Sequence, residues 1–152
     1  MTRDDATTLV DRAIDRLLAQ DAALLDLNVT ERALAHQLAH YMAESVIAPL
    51  CVDCEYNRHL GDPKRLNLPP RRALDREIRA TTVFPDIIVH ERNTDVSNFV
   101  VLELKKPGED LAYDHLKLRA FREELGYQHA AHLILGYDGQ GNLVRELSWV
   151  DD

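Results

Sequence analysis

The sequence predicts an α/β protein in which a mixed β-sheet of about four to five strands is flanked by helices. Two amphipathic helical patterns occupy most of the first 48 residues, and two strongly apolar strand patterns follow in residues 86–91 and 98–105. A further helical pattern then precedes two more strands. A length of 152 residues suits a single domain, with residues 1–27 as an N-terminal helical extension.

The N-terminal half begins with apolar residues at three-to-four spacing over residues 4–26, which predicts a helix that breaks near Asp21. Either Asn28 or Thr30 can cap a second helix, which ends before Pro49. The side chains of residues 51–58 alternate in character enough to predict a strand. Residues 59–72 are rich in glycine and proline and predict an irregular connection, and a short helix is expected over residues 72–79.

The C-terminal half carries the strongest strand patterns. The runs at 86–91 and 98–105 are joined by a polar loop, and Pro107 and Gly108 end the second run. Residues 109–125 have a helical apolar stripe, with Gly126 at a natural C-cap position. Residues 130–137 and 143–150 predict a final hairpin around a glycine-rich turn.

Composition indicates an ordinary water-soluble protein, with 45% hydrophobic and 29% charged residues. No apolar run approaches the length of a membrane span, and no apolar stretch follows the first residues as in a signal peptide. The two cysteines are expected to be thiols in a reducing compartment. We therefore expect a cytoplasmic protein without membrane contact.

The net charge of −8 argues against a protein that binds nucleic acid over its whole surface. The charge is uneven, however, because residues 58–79 contain seven basic and only three acidic side chains. This segment is a candidate phosphate-contacting element, and a solvated loop and helix face is the alternative. The candidate DNA contacts are Arg58, Lys64, Arg65, Arg71, Arg72 and Arg76.

Three charged residues are predicted to meet where the two apolar strands pair. Glu103 and Lys105 are two residues apart, so a strand places them on one face. If the hairpin pairs Glu91 with Asn98, the same register sets Asp86 opposite Glu103, with Cβ atoms roughly 4.5–5.5 Å apart. Two carboxylates so close need a compensating cation, and a hard divalent ion such as Mg²⁺ is the natural one. An adjacent lysine can stabilise a developing oxyanion.

These residues give the chain a resemblance to a known superfamily. Pro85-Asp86, an intervening loop, and Glu103-Leu104-Lys105 resemble the PD…(D/E)xK signature of the restriction-endonuclease-like nucleases. The similarity in layout runs from about residue 31 to 136. It implies a restriction-endonuclease-like core and a Mg²⁺- or Mn²⁺-dependent nuclease that hydrolyses phosphodiester bonds, most often in DNA.

The resemblance also implies roles for individual residues. Asp86, Glu103 and the backbone carbonyl of Leu104 would hold the metal, and Lys105 would lie beside the hydrolytic water. Superfamily members often carry another acidic residue on a preceding helix, which Glu31 matches. A polar residue on the following helix is also common, and Lys117 is the nearest candidate.

The roles of Glu31 and Lys117, and the nuclease activity itself, each have an alternative interpretation. Glu31 is equally suited to a capping box begun by Asn28, and Lys117 suits a solvated helix face where it pairs with Asp114. The intact fold could also serve a catalytically silent binding or assembly module that acts with a partner protein. Because no separate target-recognition domain fits in this length, sequence-specific cutting would require a homodimer or a partner subunit.

A histidine pair and a cysteine pair give weaker indications of a metal site. His36 and His40 are spaced as in zinc proteases, but Gln37 stands where the catalytic glutamate would be. Cys51 and Cys54 form a CxxC, yet a strand would point their thiols to opposite faces and prevent chelation. The sequence therefore does not favour a zinc site built from either pair.

Overall fold

The computed structural model describes residues 1–59, 62–68 and 81–151, and it contains a central sheet with helices on both faces. The helices are α1 (Arg3–Gln20), α2 (Ala23–Asp26), α3 (Glu31–Ala43) and α4 (Ala112–Leu125). The strands are β1 (Cys51–Cys54), β2 (Arg58–His59), β3 (Asp62–Pro63), β4 (Arg65–Leu66), β5 (Thr81–Thr82), β6 (Ile87–His90), β7 (Val100–Lys105), β8 (His129–Tyr137) and β9 (Leu143–Trp149).

The main sheet has five strands in the order β1-β6-β7-β8-β9. Only β7 and β8 pair in parallel, and α4 connects them, whereas the other three neighbours are antiparallel. The predicted α/β class and its mixed sheet are therefore confirmed. Strands β2 with β3, and β4 with β5, form two short antiparallel pairs outside this sheet.

Helix boundaries follow the capping residues. The predicted break near Asp21 is confirmed, since α1 ends at Gln20 and α2 begins at Ala23. Thr30 is the N-cap of α3, its hydroxyl accepting from the Ala33 N–H at 3.2 Å. Gly126 ends α4 with a φ of +70°. Among the helices in the described part of the chain, none is both long enough and apolar enough to span a membrane.

One predicted strand is shorter in the structure than expected. The strand expected over residues 51–58 ends at Cys54, because Glu55 adopts a φ of +49° that turns the chain out of the sheet. The short helix expected over residues 72–79 lies outside the described residues. The hairpin strands over residues 129–137 and 143–149 follow the prediction closely.

Alternation along the strands divides the core into two layers. Ile87, Val89, Leu102 and Leu104 face the layer that α1 and α3 cover. Ile88 and Val101 face the opposite layer, where they pack with Phe121 and other apolar residues of α4. Because β6 and β7 are covered on both faces, their sequences are apolar at almost every position. Glu103 and Lys105 share the α4 face with Val101.

Candidate functional site

The antiparallel pairing of β6 with β7 has the register that the sequence predicts. Ile87 pairs with Leu102 and Val89 with Val100. Extending this register by one residue places Asp86 opposite Glu103. The Asp86 carboxylate is anchored there, since its Oδ2 accepts a hydrogen bond from the Leu104 N–H at 2.7 Å. Burial raises the pKa of Asp86, and the Leu104 N–H opposes that rise.

Glu103 is the most enclosed acidic group of this cluster, with 3% of its surface exposed. Its Oε2 accepts from the Lys117 ammonium at 2.8 Å. Its Oε1 is buried and has no hydrogen-bond partner among the described residues. Burial raises the pKa of Glu103 well above its usual value, the Asp86 and Asp114 carboxylates add to this rise, and Lys117 opposes it. The free Oε1 thus has unused capacity to bind a cation.

Lys105 is held by a residue that the sequence analysis assigned elsewhere. Its Nζ lies 2.6 Å from Asp114 Oδ2, and the two side chains are 15% and 8% exposed. Burial alone would lower the pKa of Lys105, but the Asp114, Glu31 and Glu109 carboxylates outweigh burial and raise it. The ammonium is therefore charged at neutral pH and held beside the strand that carries Glu103.

The expected local pair between Asp114 and Lys117 is wrong. Both residues belong to the face of α4 that meets the sheet, so each pairs with a strand residue instead: Asp114 with Lys105, and Lys117 with Glu103. Lys117 also donates to the Phe84 carbonyl at 3.0 Å. It therefore joins α4 to β7 and to the segment before β6, and the alternative of a solvated position does not apply.

Glu31 lies at the first turn of α3 and does not act in a capping box with Asn28. Thr30 performs the capping, while Asn28 has a φ of +50° outside the helix. Burial and the neighbouring Glu109 carboxylate raise the pKa of Glu31 to about 7, with Asp86 and Lys105 also close enough to affect it. Its Oε2 is buried without a hydrogen-bond partner in the described part of the chain. Glu31 thus belongs to the same charged cluster as Lys105.

The donor set fits a hard divalent cation by its chemistry. Asp86, Glu103 and Glu31 are carboxylates of raised pKa, and two of their oxygens are buried without partners. Oxygen ligands of this kind are those that Mg²⁺ and Mn²⁺ prefer. The ligand atoms of Asp86, Glu103 and Glu31 do not all lie within 4.8 Å of one another. Among the described residues, only Cys51, Asp53 and His90 bring three ligand atoms that close together. The Leu104 carbonyl as a ligand stays a prediction.

His132 is a member of this site that the sequence analysis did not identify. It pairs with Glu103 in the parallel ladder between β7 and β8 and is 3% exposed. Neither of its ring nitrogens has a hydrogen-bond partner among the residues described, and its ring stacks on His115 with centroids 5.9 Å apart. The only sequence signal was its place in an apolar strand, which does not reveal that the next strand holds Glu103.

The basic segment is only partly within the described residues. Arg65 is exposed, as a phosphate contact requires. Arg71, Arg72 and Arg76 lie outside the described residues, and the side chain of Arg58 is not described either.

The prediction that Lys64 contacts DNA is wrong. The residue is 3% exposed, and its Nζ donates to the Tyr127 hydroxyl at 3.1 Å and to the Tyr56 carbonyl at 3.4 Å. The ammonium lies 4.9 Å and 5.6 Å from the centroids of the Tyr56 and Tyr127 rings. A group enclosed in this way is withdrawn from the surface that a phosphate backbone would touch.

The buried Lys64 is expected to make stability depend on pH. Burial lowers its pKa from 10.5 to about 8, so between these values the unfolded chain binds a proton that the folded chain does not. Stability therefore rises with pH across this range, by roughly 3 kcal/mol from this group. Urea unfolding of the wild type and Lys64→Met at several pH values measures the difference. Lys106→Met is the control and should keep the wild-type slope, whereas a wild-type slope in Lys64→Met would contradict the prediction.

The two motifs considered for zinc lie on α3 and on β1. His36 and His40 are exposed on α3. The Cys54 thiol donates toward the Ala35 carbonyl at 3.5 Å, whereas the Cys51 thiol lies 3.3 Å from the His90 carbonyl on the other face of β1. The expectation that the two thiols diverge is therefore confirmed.

No protein-family model, curated protein or solved structure matches this chain at a significant level.

Proposed function

We propose that the protein is a metal-dependent nuclease of the PD-(D/E)XK type that hydrolyses phosphodiester bonds in DNA. The observation that carries the proposal is the register of β6 and β7, which sets Asp86 beside Glu103, Leu104 and Lys105. The unpartnered, buried Oε1 of Glu103 supports it, because a buried carboxylate oxygen normally has a partner.

Asp86 and Glu103, with the Leu104 carbonyl, would hold a Mg²⁺ or Mn²⁺ ion, and Glu31 would complete the acidic surroundings. A bound divalent cation supplies Lewis-acid polarisation of a phosphoryl oxygen and lowers the pKa of water. Lys105 places a charged ammonium where negative charge develops on the phosphoryl group. Asp114 positions that ammonium, since the two groups are 2.6 Å apart.

Lys117 has a positioning role in this proposal. Its ammonium lies on Glu103 Oε2, so it favours the ionised form of the carboxylate and fixes its orientation. The other oxygen, Oε1, is then the one available to a cation. Substrate contacts outside the cluster would include Arg65 and the basic residues beyond the described part of the chain, which would position the phosphate backbone without reading sequence.

A catalytically silent binding or assembly module, acting with a partner protein, is the second candidate. Two observations favour it: both lysines of the cluster are already engaged in ion pairs, and the chain carries a net charge of −8. Such a module would keep the cluster as a structural network.

Cleavage by the wild-type protein distinguishes the two candidates. Labelled double-stranded DNA, single-stranded DNA and RNA are incubated with Mg²⁺, with Mn²⁺ or with EDTA. We expect metal-dependent cutting of at least one DNA substrate and none with EDTA, because the reaction needs the cation. A folded protein that cuts no substrate with either metal would favour the assembly module. Cutting of RNA alone would show that the substrate is RNA and not DNA.

A further inference from the structure

A second group of metal-ligating side chains lies on the same face of the sheet, at the other end of β6 from Asp86. Cys51 and Asp53 are two residues apart on β1, so both side chains point to one face. His90 is the partner of Cys51 across the β1–β6 ladder. One ligand atom from each of the three residues lies within 4.8 Å of the other two.

The contacts within this group converge on one oxygen. Asp53 Oδ2 is 2.9 Å from His90 Nε2 and 3.6 Å from the Cys51 Sγ. His90 is 3% exposed and the Asp53 side chain 14%, while Cys51 is half-buried. Strand pairing therefore holds the three donors on a rigid surface that is mostly removed from water.

Arg92 is the present partner of the Asp53 carboxylate. Its Nε donates to Oδ2 at 2.8 Å and its Nη2 donates to Oδ1. The Arg92 side chain is 55% exposed, so solvent can take over its hydrogen bonds if it leaves. The arginine thus supplies a positive charge at the place where a cation would otherwise neutralise Asp53.

We propose that Cys51, Asp53 and His90 form a binding site for a borderline-soft divalent metal ion of the zinc type, distinct from the Asp86–Glu103 site. Sulfur, imidazole nitrogen and carboxylate oxygen are the three donors that Zn²⁺ uses in proteins, with bonds of about 2.0–2.3 Å. Tetrahedral bonds of that length put neighbouring donors about 3.3–3.7 Å apart. The separations of 2.9 Å and 3.6 Å within the group need only small adjustments to reach this spacing.

Binding would replace a proton and a hydrogen-bonded arginine without any change of oxidation state. The Cys51 thiol loses its proton to solvent as the sulfur–metal bond forms. His90 binds through Nε2 with its ring proton on Nδ1, and Asp53 exchanges Arg92 for the metal. The thiolate and the carboxylate together neutralise the charge of the ion. Three protein ligands leave one position for water or an external ligand, as in catalytic zinc sites.

The choice of metal separates this site from the carboxylate cluster. A thiolate ligand selects zinc-type ions, whereas Mg²⁺ prefers oxygen donors. The Cys51–Asp53–His90 group shares no residue with the proposed nuclease site, so metal binding there does not depend on nuclease activity. It also differs from a CxxC chelate, because Cys54 lies on the opposite face against α3.

Cobalt titration of the full, reduced, metal-stripped chain tests the site, since Co²⁺ reports thiolate coordination by its charge-transfer absorption. We expect the wild type to bind one Co²⁺ with a thiolate band, which Zn²⁺ abolishes by displacement. Cys51→Ser should lose the band and Cys54→Ser, the matched control, should keep it. Arg92→Gln should bind Co²⁺ at least several-fold more tightly, because it releases Asp53 and removes a positive charge.

Three results would overturn the proposal. The first is a wild type, shown to be folded by circular dichroism, that develops no thiolate band with Co²⁺. The second is a band that persists in Cys51→Ser. The third is a band lost equally in Cys51→Ser and Cys54→Ser when both variants are folded, which would indicate a chelate of both thiols. Cys51→Ala replaces Cys51→Ser if the serine variant does not fold.

Discussion

Glu103→Gln should lower the rate of metal-dependent DNA cleavage about a thousandfold in the proposed nuclease. The substitution keeps the size of the side chain but removes the charge of the most buried carboxylate in the cluster. A bound metal ion stabilises the charge of the transition state by several kcal/mol, and each 1.36 kcal/mol corresponds to a factor of ten in rate. Cleavage of labelled DNA at saturating Mg²⁺ or Mn²⁺ measures the loss.

Lys105→Ala should lower the same rate by about 10²–10³-fold, the loss typical when one group that stabilises developing charge is removed. Two matched controls separate chemistry from general damage. Lys106→Ala removes the adjacent lysine, whose Nζ bonds to Asn28 rather than to the cluster. Glu123→Gln removes an exposed carboxylate of α4. Both controls should cut at nearly the wild-type rate. A Glu103→Gln protein that is folded and cuts within tenfold of wild type would remove Glu103 from the mechanism.

Lys117→Met is expected to lower the free energy of unfolding by about 3–5 kcal/mol above about pH 8, where Glu103 is ionised in the wild type, the cost typical of removing one partner of a buried ion pair. The pair is well enclosed, with side-chain exposures of 12% for Lys117 and 4% for Glu103. Without the ammonium, the Glu103 carboxylate has to be buried as an uncompensated charge or has to take up a proton. Urea unfolding at fixed temperature measures the change.

The pH dependence of this loss has a definite sign. The pKa of Glu103 is already raised by burial in the folded protein, and removing Lys117 raises it further. The folded chain then holds a proton that the unfolded carboxyl releases above its ordinary pKa of 4.5, so stability falls as pH rises above that value. The wild-type carboxyl also keeps its proton up to its pKa of about 8, so the two proteins lose stability in parallel below that pH. The loss in Lys117→Met should therefore grow only as the pH rises above about 8.

Two further variants and one addition of metal sharpen the test. Glu103→Gln combined with Lys117→Met should be more stable than the two single effects predict, since no buried charge is left uncompensated. Arg119→Met breaks an exposed pair with Glu123 on the same helix and should cost less than about 1 kcal/mol. Addition of Mg²⁺ should recover part of the stability of Lys117→Met alone. Equal losses of unfolding free energy in Lys117→Met and Arg119→Met would contradict the interpretation that Lys117 and Glu103 form a stabilising buried ion pair.

The register of the β6–β7 hairpin could be predicted because the information is local. A polar loop joins two apolar runs, and pairing Glu91 with Asn98 leaves one antiparallel register that sets Asp86 opposite Glu103. Two-residue periodicity then places Glu103 and Lys105 on one face. The starts of the helices could also be predicted from local sequence signals. The choice of Thr30 over Asn28 as the N-cap, however, depended on backbone conformation.

The pairing of charges could not be predicted in the same way. Asp114 and Lys117 are three residues apart on α4, and sequence spacing alone favours a pair between them. Docking of α4 on the sheet instead brings Asp114 to Lys105 and Lys117 to Glu103. His132 joins the cluster for a related reason, since the order of strands in the sheet sets it beside Glu103.

By itself, the sequence determined the α/β class, the register that aligns Asp86 with Glu103, and the divergence of the two cysteines, because periodicity and short turns encode these features locally. Tertiary structure decided which cations meet which carboxylates, that Lys64 is enclosed by two tyrosines, and that Cys51 lies beside His90. These contacts join residues far apart in the chain. They depend on how helices and strands pack, which no local pattern specifies.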